Sequence, residues 1–257
     1  MNCKRGFSNF SFLVVTLAAL HLPSRASANL IDYSARIVVK NSSGTTLGYV
    51  QDDPNYWTPF IVPTSATALV IDFTLNGTMG NQINLVPQAG GGQGYPFWGA
   101  TVGRDSTSSD IAAGSFNYLY LEGTNGTPPG STPQGVPNYY SSLNTPTKDS
   151  ESAIWNIDVN ALTLAPQWIN TNSSMPTTFV FVQSNHVYAG GDPAAFNARF
   201  PSPVTNAALF LEIISAVPQP GDGNGGSVPD LPSTWMLLVI GLTTVFCLRP
   251  VLLPRED

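Results

Sequence analysis

Acid and base chemistry in this sequence depends almost entirely on carboxylates. Between residues 29 and 217 there are twelve Asp or Glu, five Lys or Arg, and a single histidine, His186. Three carboxylate pairs are close in sequence: Asp149 with Glu151, Asp105 with Asp110, and Asp52 with Asp53. A glycoside hydrolase needs two carboxylates flanking one bond. Closeness in sequence does not determine the distance between two carboxyl groups in the fold. We therefore expect these Asp and Glu side chains to be solvated loop residues or helix caps.

Other catalytic groups have little support. The two cysteines, Cys3 and Cys247, lie near the chain ends, and no Gly-x-Ser-x-Gly elbow is present. Zinc needs clustered His or Cys, which the sequence lacks. The glycine run at residues 90–94 lacks the Lys-Ser/Thr of a phosphate-binding loop. The sequence therefore predicts no catalytic residue, no metal and no cofactor.

Aromatic residues near loops are the better candidates for a binding site. Aromatic faces beside Gly, Pro or Asn can stack on sugar rings, although large aromatic side chains also commonly fill a core. The candidate ligand-binding residues are Trp57, Trp98, Tyr139 and Tyr140.

The two ends of the chain predict export and membrane attachment. Residues 1–28 have a positive start, an apolar core and an Ala-Ser-Ala cleavage site, as in a secretory signal peptide. Residues 218–230 form a Gly/Pro linker, and residues 231–253 form a hydrophobic C-terminal anchor or sorting segment. We expect the domain at residues 29–217 to be extracellular or at the cell surface.

Composition limits the partners of this domain. An acidic, sparsely charged body argues against nucleic acid and against anionic membrane surfaces. It contains no cysteine, so it must fold without disulfides, and roughly 190 residues suffice for a core of its own. Four Asn-x-Ser/Thr sequons predict glycosylation: they begin at Asn41, Asn76, Asn125 and Asn172.

Periodicity predicts a mainly β fold. About ten short runs, such as residues 33–39, 68–75, 116–121 and 178–182, are apolar, aromatic or alternating and lie between turn signals. The segment 151–170 predicts two strands joined by a loop, with Trp155 and Trp168 as neighbours in the core. Residues 192–200 predict one short helix, whereas residues 207–214 fit a strand or a helix. We predict an antiparallel β-sandwich, jelly-roll or immunoglobulin-like, with this helix and a C-terminal hydrophobic helix.

The body resembles a group of small secreted proteins from basidiomycete fungi whose function is not established. The likeness covers roughly residues 44–200 and rests on short motifs, including Tyr95-Pro96-Phe97, residues 116–121, residues 129–133, residues 151–155, residues 167–170 and residues 191–196. The group has no known catalytic or binding residues to transfer. Its members tend to end near the last strand, so the linker and apolar tail are a departure.

The tail has a resemblance of its own. Residues 228–234, followed by an apolar run and Arg249, are similar to PEP-CTERM-type sorting tails, although the final basic cluster is reduced and the chain ends in acid. Small residues at 223–227 before a discarded apolar segment are also similar to a glycosylphosphatidylinositol signal, although those signals usually end apolar. Each interpretation ties the body to the outside of a membrane.

Together these features predict a non-enzymatic surface protein that engages cell-wall or other glycans through loop aromatics. A carboxylate-based glycoside hydrolase is the first alternative. A structural wall or spacer protein is the second.

Overall fold

The computed structural model describes residues 30–51, 57–88 and 92–220. The predicted signal peptide, the predicted anchor, most of the linker and the Asp52–Asp53 pair lie outside these residues. Within them the protein is mainly β, with an antiparallel sheet curled into a half-barrel and two short helices. The strands are β1 (Leu30–Asn41), β2 (Thr46–Val50), β3 (Ile61–Val62), β4 (Val70–Asn76), β5 (Met79–Ile83), β6 (Val86–Pro87), β7 (Phe97–Val102), β8 (Tyr118–Thr124), β9 (Ser150–Glu151), β10 (Trp155–Asp158), β11 (Thr163–Pro166), β12 (Phe179–Gln183), β13 (His186–Gly190) and β14 (Val204–Pro218). The helices are α1 (Tyr139–Leu143) and α2 (Pro193–Arg199).

The longest path through the sheet runs β3-β2-β1-β14-β12-β13-β8-β7-β9. Strand β1 pairs with β14 along one edge, and with β4 and then β2 along the other. Strand β10 pairs with β11 and β5, and β11 also pairs with β14. Because β1 and β14 are the longest strands and pair with each other, they form the centre on which the other strands assemble.

Alternation along β1 explains its burial. Tyr33, Ala35, Ile37 and Val39 are buried in the main core, while the intervening residues point away from it. Successive side chains of a strand face opposite sides of a sheet, so an alternating sequence buries one face. The prediction of a strand over residues 33–39 is confirmed.

Tryptophans occupy the middle of the main core. The rings of Trp98 and Trp155 stack with centroids 4.6 Å apart and an interplanar angle of 4°. The indole N–H of Trp155 donates to the carbonyl of Trp98 at 2.7 Å, so this buried donor is satisfied. Trp168 is also fully buried and donates to the carbonyl of Ser109 at 2.9 Å. The stacking partner of Trp155 is therefore Trp98 from β7, and Trp168, the core neighbour that the sequence predicted, belongs to the same cluster.

Two other predictions are resolved by the structure. Helix α2 begins at Pro193, and the Asp192 carboxylate caps it by accepting from the amides of Ala194 and Ala195, which confirms the predicted helix. Residues 207–214, which fitted either a strand or a helix, belong to strand β14.

Helix α1 lies within residues 123–147, a segment rich in Pro, Gly, Ser and Thr. Asn138 is fully buried and caps α1 by accepting from the amide of Ser141 at 2.8 Å. Its own amide group donates to the carbonyls of Val136 and Lys148. These bonds hold the chain on both sides of α1, so a segment rich in Pro and Ser is ordered by buried side-chain hydrogen bonds.

Candidate functional site

A second apolar cluster lies on the face of the sheet opposite the main core. Tyr120 of β8 is opposite Tyr188 of β13, which is opposite Phe181 of β12. Directly paired residues point to the same side of an antiparallel sheet, so these three rings form a row. Their neighbours Leu119 and Val187 point into the main core instead. These strands are thus apolar on both faces.

Helix α2 covers one side of this aromatic row. The ring of Phe196 lies 5.1 Å from that of Tyr118 and 4.7 Å from that of Phe181. Phe200, at the end of α2, packs 5.6 Å from Tyr118. The spacing of four residues places both phenylalanines on one face of the helix, which is why α2 docks there.

Trp57 and Tyr140 cover the other side. Trp57 is half-buried, with its ring 5.8 Å from that of Tyr120 and 5.2 Å from that of Tyr140. Tyr140, on α1, is buried and stacks on Tyr120 at 5.7 Å. Helix α1 therefore supports Trp57 from behind.

Between these two walls lies a cavity of about 270 Å³, which we call the aromatic cavity. This volume is close to the lower end of the roughly 300–1,000 Å³ typical of ligand pockets, so it suits a single ring. Its aromatic lining is Trp57, Tyr118, Tyr120, Tyr188, Phe196 and Phe200. Its other lining residues are Thr58, Arg104, Asp105, Gln183 and His186.

A partly exposed ion pair contributes two charged side chains to the lining. Arg104 and Asp105 approach to 3.3 Å, and their side chains are 55% and 36% exposed. The Arg104 guanidinium also lies 5.7 Å from the ring centre of Trp57. Exposed ion pairs contribute little to stability. The donors of Arg104 and the acceptors of Asp105 are thus accessible to a ligand.

Tyrosine hydroxyls connect this ion pair to the aromatic floor. The hydroxyl of Tyr118 donates to the Asp105 carboxylate at 3.4 Å and lies 3.1 Å from the hydroxyl of Tyr120. Burial raises the pKa of Tyr188 to about 12 and raises the pKa values of Tyr118 and Tyr120 above the usual value. All three phenols are therefore neutral hydrogen-bonding groups at physiological pH.

His186 lies at the edge of the cavity. Its ring packs on Phe60 with centroids 3.8 Å apart, and its Nδ1 is 3.3 Å from the carbonyl of Thr58. These contacts hold the segment after Trp57 against strand β13, in agreement with the bridge between Phe60 and His186.

Of the four predicted ligand-binding residues, only Trp57 lines the aromatic cavity. Trp98 is buried in the main core, where its ring stacks on Trp155. Tyr140 is buried behind Trp57, and Tyr139 is half-buried on α1 outside the cavity lining. The structure thus brings Trp57 and Tyr140 together and places Trp98 on the other side of the sheet.

The carboxylate pairs have separate environments. Asp110 accepts from the amide and hydroxyl of Thr171, whereas Asp105 pairs with Arg104. Asp149 accepts from the hydroxyl of Ser109 at 2.6 Å. Glu151 is buried, and the cause of its raised pKa, about 9, is this burial. Asp105 is the one carboxylate among the residues that line the aromatic cavity.

The four sequons differ in their surroundings. Asn76 and Asn172 are exposed, as are Thr78 and Ser174, which complete their sequons. Asn41 is half-buried, and its side-chain oxygen accepts from the amides of Ser43 and Thr45. Asn125 is half-buried as well, and the Thr127 of its sequon is buried.

Two features are absent from the described residues. In this part of the chain no group of three His, Cys, Asp or Glu side chains is arranged to hold a metal ion. None of its helices is both long enough and apolar enough to span a membrane.

Most of the cavity residues were not predicted from the sequence. Tyr118 and Tyr120 appeared only within the predicted run at residues 116–121, and Phe196 and Phe200 only within the predicted helix at residues 192–200. The available signal was alternation in β8, where Tyr118 and Tyr120 face one way while Leu119 and Leu121 face the other. Large polar-tipped rings on the second face of a core strand indicate that this face is also covered.

Comparison of the chain with protein-family models, with curated proteins and with solved structures found no match in any of the three.

Proposed function

We propose that this protein is an exported binding protein that holds a neutral sugar ring in the aromatic cavity without converting it. The observation that carries the proposal is the combination of six aromatic rings with the accessible Arg104–Asp105 pair in one cavity. Sugar rings have an apolar face of C–H groups, which stacks on aromatic rings, and an edge of hydroxyls, which exchange hydrogen bonds with charged groups. Both kinds of surface are present here.

The charge of the cavity favours an uncharged ligand. The opposite charges of Arg104 and Asp105 cancel, and burial keeps the nearby tyrosines neutral. A charged ligand would bring an unbalanced charge next to buried rings, which carries a desolvation cost. A neutral sugar meets no such cost.

The position of the cavity suits a protein held at a membrane by its C-terminal segment. Strand β14 begins at Val204, opposite Gln183 of the cavity lining, and ends at Pro218, where the predicted linker starts. Fifteen extended residues cover up to about 45 Å. The proposed signal peptide (residues 1–28) and anchor (residues 231–253) would then export the body and present the cavity away from the membrane.

A finer fold is proposed as well: a two-layered β-sandwich of jelly-roll or immunoglobulin-like topology. It is supported by the main core, in which β1 and β4 contribute apolar side chains together with β7 and β8.

The proposal is tested by calorimetric titration of the purified protein with neutral oligosaccharides of glucose, mannose and N-acetylglucosamine. We expect saturable binding that Trp57→Ala weakens about tenfold or more, because truncation of an aromatic anchor at a binding site typically costs roughly 2 kcal/mol. Phe179→Ala is the matched control, since this ring is 45% exposed and lies outside the aromatic cavity.

The products distinguish this proposal from its alternatives. Unchanged oligosaccharides after long incubation support a binding protein. Shortened oligosaccharides would instead favour the carboxylate-based hydrolase, although paired-carboxylate hydrolysis needs a second carboxylate beside Asp105. No binding across the panel would favour a structural wall or spacer protein.

A further inference from the structure

A buried carboxyl group lies beneath the wall of the aromatic cavity. Glu122 follows Tyr120 by two positions on β8, so its side chain is on the same face of the sheet as the tyrosine floor. It is fully buried, and among the described residues it takes part in no ion pair. Burying a carboxyl group without a cationic partner is costly, so its position needs an explanation.

The carboxyl group is linked to the cavity by one hydrogen bond and one ring contact. Its Oε1 accepts from the backbone amide of Tyr140 at 3.0 Å, in the first turn of α1. The ring of Tyr140 in turn lies 5.2 Å from that of Trp57, which lines the cavity. Glu122 therefore holds α1, and α1 supports Trp57.

The second carboxyl oxygen has different requirements in the two protonation states. Oε2 of Glu122 is buried without a hydrogen-bond partner, and so is the hydroxyl of Thr101, which lies close enough to interact with Glu122. A protonated carboxyl can donate to the Thr101 hydroxyl, which satisfies both oxygens. An ionised carboxylate would accept from the Thr101 hydroxyl and the Tyr140 amide, and both bonds lower its pKa, but burial outweighs them because neither donor carries a charge.

We propose that Glu122 is a positioning residue: with its proton it holds α1 and the Trp57 side of the aromatic cavity in the binding geometry, and without its proton this wall loosens and binding weakens. This inference rests on the proposed function of the cavity. It adds a way in which the environment regulates that site.

The groups that face Glu122 leave its ionisation uncompensated. The phenol of Tyr140, from α1, interacts electrostatically with Glu122, and Tyr120 lies two positions away on the same face of β8. Burial raises the pKa values of both phenols. The charges of Arg104 and Asp105 act on the pKa of Tyr140 in opposite directions. Burial raises the pKa of Glu122 to about 8, so the change falls at mildly alkaline pH.

The binding test compares sugar affinity from about pH 6 to about pH 9 in the wild type, Glu122→Gln and Glu151→Gln. We expect wild-type affinity to be constant below about pH 7 and to fall about tenfold per pH unit above the pKa. Glu122→Gln keeps an acceptor for the Tyr140 amide and carries no charge, so its affinity should stay high and flat. Glu151→Gln is the control, because Glu151 is also a buried carboxyl but points to the opposite face of the sheet.

A second measurement needs no ligand. The amide proton of Tyr140, observed by nuclear magnetic resonance, should titrate with the Glu122 carboxyl in the wild type and stay constant in Glu122→Gln. An unchanged Tyr140 amide, or an alkaline loss of affinity that persists in Glu122→Gln, would overturn the inference. If no sugar binds at any pH but the Tyr140 amide titrates as expected, the proposed function fails and the link between Glu122 and the cavity wall stands.

Discussion

Replacement of Glu151 by Gln should make the protein more stable at neutral pH and less sensitive to pH. Glu151 lies on β9 opposite Ala100 and is buried in the main core. Its carboxyl oxygens accept only weakly, at 3.3 and 3.4 Å, from the amide of Ile169. Burial raises its pKa to about 9, so the folded protein retains a proton that the unfolded chain releases above its ordinary pKa of 4.5.

The sign and size of the effect follow from proton linkage. Because the folded state binds the extra proton, the contribution of Glu151 to stability is fully present below about pH 4.5. It is lost as the pH rises towards the folded-state pKa. Each such proton lowers the free energy of unfolding by about 1.4 kcal/mol per pH unit. The Glu122 carboxyl lowers the free energy of unfolding with rising pH in the same way, up to about pH 8. The free energy of unfolding of the wild type should therefore fall by about 2.8 kcal/mol per pH unit in this window, and that of Glu151→Gln by about half as much.

The assay is urea unfolding at about pH 5.5, 6.5 and 7.5, with the slope of unfolding free energy against pH as the result. Glu212→Gln is the matched control. The Glu212 carboxylate accepts hydrogen bonds from Tyr49 and Arg36, and the former contributes most to the lowering of its pKa. Its contribution is lost only in acid, so this variant should keep the wild-type slope. A slope in Glu151→Gln equal to that of the wild type would refute the argument that this carboxyl is buried in its protonated form.

Two further variants test the packing around the cavity. Trp98→Ala should lower the free energy of unfolding by roughly 3–5 kcal/mol, because it removes the ring stacked on Trp155 and leaves a cavity in the main core. Urea unfolding measures this loss. A loss below about 1 kcal/mol would contradict the position of Trp98 in the core. Asn138→Ala should lower the free energy of unfolding by about 2 kcal/mol, because it removes the cap of α1 and a hydrogen bond to the carbonyl of Lys148. The same variant should weaken sugar binding, since α1 supports Trp57, and undiminished affinity would contradict that support.

Elements whose signals are local could be predicted from the sequence. The alternating residues of β1 need only a period of two to be recognised, and α2 carries its own start signal in Asp192 and Pro193. Both predictions are confirmed, and so is the mainly β, antiparallel class. The strand pair around residues 155–166 is confirmed as well, with a four-residue connection, residues 159–162, in place of a tight turn.

Helix α1 could not be predicted, because its stability depends on partners far along the chain. Five residues are too few for a helix to form by itself, and the segment is surrounded by Pro, Ser and Asn. What holds α1 is the buried Asn138 together with the Glu122 carboxyl from β8. Neither contact leaves a periodic signal in the sequence.

Residue types and local spacing by themselves determined the class of fold, the positions of most strands and the choice of aromatic residues as candidates for ligand binding. The tertiary structure alone decided which aromatics share a cavity. It grouped Trp57 with Tyr118, Tyr120 and Tyr188, and it buried Trp98 on the other face of the sheet. The physical reason is that strand periodicity determines which residues share a face, whereas pairing between distant strands determines which faces meet.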